Sequence, residues 1–238
     1  MEQLTGKTSD ELAAELQGVI FRLPGPVPEG ERPTYVTADE YLSGNVRRKL
    51  RQAQRAAQQD PAFAINVEAL TAAQPKDLDA SEIEVRLGAT WIDKKYIQQF
   101  MYETFNTPNY LQRAIQVNYT SYTAEWQITG KSSVSENNVA AYTTYGTSRA
   151  NAYKILEDSL NLRDVRIYDT VEDADGKERR VLNAKETTLA AQKQQAIRDA
   201  FRDWIWRDPE RRQTLVRQYN EEMNSTRPRE YDGSHITF

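Results

Sequence analysis

A Gly-Lys-Ser run at residues 130–132, within the stretch EWQITGKSS, is the clearest hint of phosphate chemistry in the sequence. The second half of a phosphate-binding loop has this composition, and its lysine reaches the phosphates. Such a loop also requires a glycine five residues before the Gly-Lys pair, where this chain has Glu125. The segment that follows, VSENN, has the composition of a turn rather than of the required helix. We therefore interpret Lys131 as a residue at the end of a strand and do not predict nucleotide binding.

Other reactive residue types are scarce. The chain has no cysteine, which excludes thiol catalysis and cysteine-ligated zinc. Its single histidine, His235, lies close to the C-terminus. The acidic residues Glu172, Asp173 and Asp175 could hold a cation, but a hairpin turn uses the same residue types. The run Thr107-Pro108-Asn109-Tyr110 is a poor match for the Asn/Asp-Pro-Pro-Tyr loop with which amino-methylases hold a flipped base. We predict no catalytic residue, no metal site and no cofactor in this chain.

Two clusters of cationic side chains are better candidates for function, because arginine binds phosphate oxygens through paired hydrogen bonds. The aromatic residues Trp204, Trp206 and Tyr219 lie among the cations of the second cluster and could stack on unpaired bases. The first cluster consists of Arg47, Arg48, Lys49, Arg51 and Arg55. The second cluster consists of Arg202, Arg207, Arg211 and Arg212.

Both clusters also have an ordinary structural explanation. Cations near the C-terminus of a helix are favoured by the helix dipole, which accounts for part of the first cluster. Acidic residues such as Asp199 and Asp203 lie among the arginines of the second cluster, so intrahelical ion pairs on a solvated face are an alternative there. The sequence leaves both explanations open.

The charge balance limits the kind of nucleic-acid binding that is plausible. The 238 residues include 31 basic and 35 acidic side chains, for a net charge of -4. A protein that finds nucleic acid through its overall positive charge has more basic than acidic residues, and this chain does not. Local basic faces remain compatible with these counts. No apolar stretch approaches the roughly 18 residues that span a membrane, and the polar start MEQLTGKTSDELAAEL is unlike a signal peptide. We expect a cytoplasmic protein without a membrane partner.

Both clusters are predicted to lie on helices. The first is placed on a helix over residues 36–60, capped by Thr37 and weakened in its middle by Gly44. The second is placed on a long C-terminal helix that begins at Lys185 and is interrupted at Asp208-Pro209.

The remaining elements predict the α+β fold class, with several helices, short antiparallel β-hairpins and the long C-terminal helix. Residues 1–33 read as a short helix followed by the proline- and glycine-rich linker FRLPGPVPEGERP, loosely attached to an α+β module over residues 34–238. Within that module we predict a strand at 81–91, a helix at 93–105, a hairpin at 115–128, a helix within 143–164 and a second hairpin at 165–183.

Long stretches of the chain resemble one family of proteins. They are VTADEYLSGNVRRKL, LDASEIEVRLGATWI, TTYGTSRANAYKILEDSLNLRDVRIYDT, NAKETTLAAQKQQAIRDAFRDWI and STRPREYDGSHITF. These stretches are similar to the large fusion proteins of bacterial mobile genetic elements, which join an N6-adenine DNA methylase to a helicase of the SNF2 type. The resemblance covers residues 34–238 and implies a segment between the methylase motifs and the helicase motor. The ATP-binding lysine, the acidic metal-binding pair and the methylase loop of that family have no matching positions here.

The resemblance therefore implies a non-catalytic module that engages DNA or positions a motor on it, either as a fragment of such a protein or as a stand-alone derivative. Its expected partners are DNA, bound weakly and with little sequence preference, and the helicase and methylase regions of the parent protein. The two cation clusters would be the DNA contacts. The alternative is a structural scaffold or a protein-binding module, including a decoy of a host defence protein.

Overall fold

The computed structural model describes residues 5–28, 30–172 and 176–230. The chain divides into two units, one formed by Met1–Asp79 with Val216–Phe238 and the other by Ala80–Leu215. The α-helices are α1 (Ser9–Glu15), α2 (Ala38–Tyr41), α3 (Val46–Gln59), α4 (Ala64–Ala72), α5 (Lys94–Thr104), α6 (Ala152–Leu160), α7 (Ala184–Arg207) and α8 (Pro209–Glu222). The strands are β1 (Ile20–Arg22), β2 (Tyr35–Thr37), β3 (Gly44–Asn45), β4 (Val117–Thr120), β5 (Glu125–Ile128), β6 (Tyr168–Glu172), β7 (Glu178–Leu182) and β8 (Thr226–Arg227).

Among the described residues, every sheet is a pair of antiparallel strands: β1 with β2, β3 with β8, β4 with β5 and β6 with β7. Two of these pairs are the hairpins expected from the sequence, and the long helix α7 ends before Pro209 as expected. The predicted α+β class is therefore confirmed. No described helix combines the length and the apolar character needed to cross a bilayer.

The start of the chain is more firmly attached than the sequence suggested. Helix α1 begins with a capping box, in which Thr8 accepts a hydrogen bond from the Glu11 amide while the Glu11 side chain accepts one from the Thr8 amide. The following residues do not behave as a linker, since β1 pairs with β2 and Phe21 is only 3% exposed. The ring of Phe21 stacks on that of Tyr41 with centroids 4.9 Å apart. Our prediction of loose attachment is therefore wrong for residues 20–22, which belong to the core of the first unit.

The predicted helix over residues 36–60 is two helices, α2 and α3. Gly44 has a φ of 69°, which is outside the helical region and favours glycine. Asn45 then caps the new helix by accepting a hydrogen bond of 2.8 Å from the Arg48 amide. Thr37 forms no side-chain cap, contrary to the prediction. The break lets Gly44–Asn45 pair with β8, which is a partner far away in the sequence.

The first unit combines an N-terminal part of the chain, Met1–Asp79, with a C-terminal part, Val216–Phe238. β3 and β8 join the two parts with the register Gly44 to Arg227 and Asn45 to Thr226. The amide group of Asn220 on α8 accepts a hydrogen bond of 2.9 Å from the Leu78 amide and donates one of 2.8 Å to the Leu78 carbonyl. Asn220 is 4% exposed, so this pairing replaces water for both partners.

An aromatic cluster forms the core of the second unit. The apolar face of α5 is buried, with Phe100 and Met101 fully inaccessible. Phe100 packs edge-on against Phe201 of α7 with centroids 5.1 Å apart, and Phe105 packs edge-on against Tyr153 of α6 at 5.3 Å. These contacts hold α5, α6 and α7 together, and α7 is the helix that carries Arg202 and Arg207.

The segment 81–91 forms no strand, contrary to our prediction. Its apolar alternation is nevertheless correct, since Ile83, Val85 and Leu87 are buried while the residues between them are exposed. Among the described residues no strand pairs with this segment, so the period of two reflects alternate packing alone.

Side chains of α6 cover the free edge of the β4–β5 hairpin. Asn161 accepts a hydrogen bond of 2.9 Å from the Trp126 amide and donates one of 2.8 Å to the Trp126 carbonyl. The carboxylate of Glu157 accepts a hydrogen bond of 2.7 Å from the Ile128 amide. The Trp126 amide and carbonyl and the Ile128 amide are therefore satisfied without a third strand.

Candidate functional site

Helix α3 carries the largest excess of cations among the described helices. Its 14 residues include the whole first cluster and no acidic residue. Val46 and Ala53 face the core and are fully buried, so the helix is held on one side by apolar packing. Three of its five cations, Arg48, Arg51 and Arg55, are exposed.

Arg47 and Lys49 have their side-chain donors occupied by the protein itself. Arg47 donates through Nε to the Asn224 carbonyl at 3.0 Å and forms an ion pair with Asp77. Lys49 donates to three backbone carbonyls at 2.8–2.9 Å, those of Glu40, Tyr41 and Ser43. These carbonyls lie at the end of α2, so Lys49 caps that helix and the turn that follows it. Burial lowers the pKa of the Lys49 ammonium, an effect opposed by the charge of Glu40.

The other three cations of the first cluster form an exposed stripe on α3, which we call the α3 stripe. Arg48, Arg51 and Arg55 follow each other at spacings of three and four residues, so they share one face. Arg51 pairs with Glu221, but both side chains remain about half exposed at 50% and 44%. Arg48 and Arg55 form no ion pair or side-chain hydrogen bond within the described part of the chain. The α3 stripe therefore presents guanidinium groups that can bind an external anion.

The second cluster contains one buried member. Arg211 is 8% exposed, and its guanidinium lies over the ring of Trp204 at 3.5 Å from the centroid. It donates to the carbonyls of Ile205 and Trp204 at the end of α7. Burial lowers the pKa of the Arg211 guanidinium, while the charges of Asp208 and Glu103 oppose that shift. Arg211 therefore closes the α7–α8 junction from the inside.

The remaining members of the second cluster are exposed. Arg202 lies 3.7 Å from Asp199, a loose pair one turn apart on α7. Arg207 and Arg212 form no ion pair or side-chain hydrogen bond with described residues. The second cluster therefore does not form a single exposed surface, because Arg211 is buried and stabilises the α7–α8 junction.

The predicted stacking role of the aromatic residues does not fit Trp204. Its indole is 6% exposed, and its Nε1 donates a hydrogen bond of 2.6 Å to Glu103. One face of the indole is already covered by Arg211. Trp204 is therefore a core residue and cannot stack on a base.

Lys131 of the Gly-Lys-Ser run is held by an acidic side chain. Its ammonium lies 2.6 Å from both carboxylate oxygens of Glu157. Glu125, in the place of the glycine that a phosphate loop requires, lies in β5 and pairs with Arg163. The run follows β5, as predicted, and its lysine stabilises the contact between the hairpin and α6.

We expect the Lys131→Ala variant to lose about 1 kcal/mol of unfolding free energy, because the Glu157 carboxylate loses a half-buried partner. Chemical denaturation measures this loss. Ser132→Ala is the matched control, since Ser132 is exposed and its change is expected to stay within about 0.5 kcal/mol. A Lys131→Ala protein as stable as the parent would contradict the structural role.

Several candidates from the sequence fall outside the described residues. Asp173 and Asp175 of the acidic turn and His235 are among them, whereas Glu172 ends β6. Within the described part of the chain, no three histidine, aspartate or glutamate side chains lie close enough to hold a metal ion.

Residues 86–225, more than half of the chain, match the family described as a domain of unknown function (DUF8437). The chain belongs to this family. No curated protein and no solved structure matches the chain.

Sequence reasoning missed Arg86. It lines a groove of the second unit together with Arg198 and Arg202 of α7. We predicted a strand at 81–91 from the alternation of apolar and polar residues. This alternation does not indicate which helix the segment packs against, so it did not place Arg86 beside α7. The exposed position of Arg86 between the buried Val85 and Leu87 was the available signal.

Proposed function

We propose that this chain is a non-catalytic, cytoplasmic module that engages DNA through its phosphate backbone and serves in a protein of the DNA methylase and SNF2-type helicase class. The observation that carries the proposal is the α3 stripe on a helix that has no acidic residue of its own. The resemblance in sequence supplies the setting, and the stripe supplies the contact surface.

The spacing of the stripe suits a polyanion. From Arg48 to Arg55 the helix rises by about 10 Å. Duplex DNA carries one phosphate charge per roughly 1.7 Å of its axis, so several phosphates come within reach of the guanidinium groups. Contacts of this kind do not depend on base sequence, which suits a module that works beside a translocating motor.

The internal contacts of Arg47 and Lys49 restrict the proposed DNA-binding surface to the other three cations of α3. The same contacts hold α3 rigidly in place. Both residues lie on α3 next to the stripe, and they tie this helix to α2 and to the residues after α8. A rigid helix loses less conformational freedom when its side chains bind. The proposal therefore rests on Arg48, Arg51 and Arg55.

Fluorescence anisotropy with labelled duplex and single-stranded oligonucleotides tests the proposal. We expect measurable binding at about 50 mM salt and a steep loss of affinity as salt rises. The double variant R48E/R55E is expected to bind at least about tenfold more weakly and to lower the slope of log K against log salt by about 2. The matched control R113E/R166E changes the net charge equally at two exposed arginines of the other unit and leaves binding by the stripe intact.

Two results would remove the proposal. One is the absence of binding to either form of DNA at low salt. The other is equal loss of affinity in R48E/R55E and R113E/R166E, which would reduce the effect to net charge alone.

A second candidate function is a scaffold that docks the methylase and helicase regions, and the β6–β7 hairpin favours it. Every residue of β7 is exposed, and the apolar Val181 and Leu182 are 37% and 48% exposed. Val171 of β6 adds a further apolar side chain at 49%. A stoichiometric complex with the neighbouring regions, lost in the variant V171S/V181S, is the result that this function predicts.

A further inference from the structure

A groove in the second unit combines arginines with an exposed leucine. It has a volume of about 270 Å³, and its lining includes three arginines, one carboxylate and three apolar side chains: Arg86, Arg198, Arg202, Glu84, Val85, Leu87 and Leu162. The side chain of Arg198 forms no ion pair or hydrogen bond within the described part of the chain. None of these residues belongs to the α3 stripe.

Leu162 has an unusual backbone conformation for its residue type. Its φ is 55°, in the left-handed region that favours glycine. It follows the C-cap Asn161 of α6, and the hydrogen bonds from Leu162 N to Ser159 O and from Arg163 N to Asp158 O define a Schellman motif. Glycine is the usual residue at this position, yet the chain carries a leucine that is 80% exposed. Leu162 lines the groove, so its exposed side chain offers an apolar contact beside the arginines.

The ion pairs at the groove indicate which chemical group its arginines bind. Arg86 donates through Nε and a terminal nitrogen to one oxygen of Glu84, at 2.9 and 2.8 Å. Both side chains of this pair are more than 70% exposed, and the Arg202 pair with Asp199 is open at 3.7 Å. Exposed pairs of this kind contribute little stability, so an incoming carboxylate can replace them at small cost.

We propose that this groove binds a short acidic segment of a partner protein, with its carboxylates on Arg86, Arg198 and Arg202 and an apolar side chain against Leu162. Charge complementarity favours an acidic ligand. The volume, at the small end for ligand sites, accommodates a few side chains rather than a duplex. The groove lacks the aromatic platforms on which single-stranded bases stack, so a peptide fits better than a nucleic acid. The proposal does not depend on DNA binding by α3.

Anisotropy with the full chain tests the proposal. The probes are fluorescein-labelled octapeptides of glutamate and serine with one leucine, in which the spacing between the leucine and a pair of glutamates varies. We expect at least one spacing to bind, and we expect R198E/R202E to weaken it at least about tenfold. The control R113E/R166E makes the same change in net charge outside the groove and is expected to retain binding.

The variant Leu162→Gly separates binding from folding. Glycine relieves the left-handed strain, so the melting temperature is expected to stay unchanged or to rise, while peptide binding falls at least about threefold. A variant that merely unfolded would lose both.

The competing outcomes are distinct. Binding of an oligo(dT) 12-mer that R198E/R202E abolishes, without peptide binding, would make the groove a nucleic-acid site and overturn the proposal. Failure of all peptides at millimolar concentration would also overturn it. Loss of DNA binding in R48E/R55E with peptide binding unchanged would support both proposals at once.

Discussion

Replacing Arg211 with alanine is expected to lower the unfolding free energy by about 3 kcal/mol. The variant removes a guanidinium stacked on Trp204 and leaves the carbonyls of Ile205 and Trp204 without their donors. Hydrogen bonds from a charged donor are worth roughly 1.5–3 kcal/mol each, and a desolvated cation–π contact about 2 kcal/mol, partly offset by the cost of burying the charge. Urea denaturation followed by tryptophan fluorescence measures the loss.

Two further variants show whether the loss of stability comes from the specific contacts of the Arg211 guanidinium or merely from removing a cation. Arg211→Lys keeps the charge but lacks the planar fork that reaches both carbonyls, so we expect a loss of about 1–2 kcal/mol. Arg212→Ala removes the exposed neighbour and is expected to change stability by no more than about 0.5 kcal/mol. Equal small effects of Arg211→Ala and Arg212→Ala would show that Arg211 is a surface cation after all.

Gly88→Ala is expected to have the largest effect of the single substitutions, a loss of about 3–5 kcal/mol. An added Cβ would lie 2.3 Å from the carbonyl oxygen of Leu160, a backbone atom that cannot move without disturbing the end of α6. The φ of 88° adds strain for any residue other than glycine. Thermal and chemical denaturation of the purified variant measure the combined effect.

Gly44→Ala is the control that isolates the backbone strain. Gly44 has a φ of 69° but no atom within 4 Å of the added Cβ, so only the conformational cost of about 1 kcal/mol remains. If Gly88→Ala were no more destabilising than Gly44→Ala, the close approach of residue 88 to α6 would be wrong.

The sequence predicted those elements whose signals are local. Asp93 caps α5, and the apolar spacing of Ile97, Phe100 and Met101 matches the buried face of that helix. The β4–β5 hairpin was likewise predicted from alternation within a short stretch, and it forms over Val117–Thr120 and Glu125–Ile128.

Elements with distant partners were predicted less well. The interruption at Gly44–Asn45 depends on β8, which lies at Thr226–Arg227, so the local apolar pattern favoured one continuous helix. The segment 81–91 carries a strand-like pattern, but whether a strand forms depends on a neighbouring strand that no local signal reports.

The candidate sites show the same limit. The sequence located the cations on α3 and on α7 with α8, but it could not separate the exposed Arg48 from the capping Lys49 one residue later. The distinction depends on where the end of α2 lies. Arg211 and Arg212 are likewise adjacent in sequence, and only the packing of Trp204 makes one buried and the other exposed.

The discontinuous composition of the first unit has a consequence for synthesis. All residues of the second unit leave the ribosome before Val216, whereas β3 acquires its strand partner only when Thr226 and Arg227 have been translated. Because domains generally fold as units, the second unit is able to fold first during translation, while the N-terminal part of the first unit lacks its partner until β8 has been translated. A chain that ends at residue 215 and has been released from the ribosome is therefore expected to contain a protease-resistant second unit beside a protease-sensitive N-terminal segment.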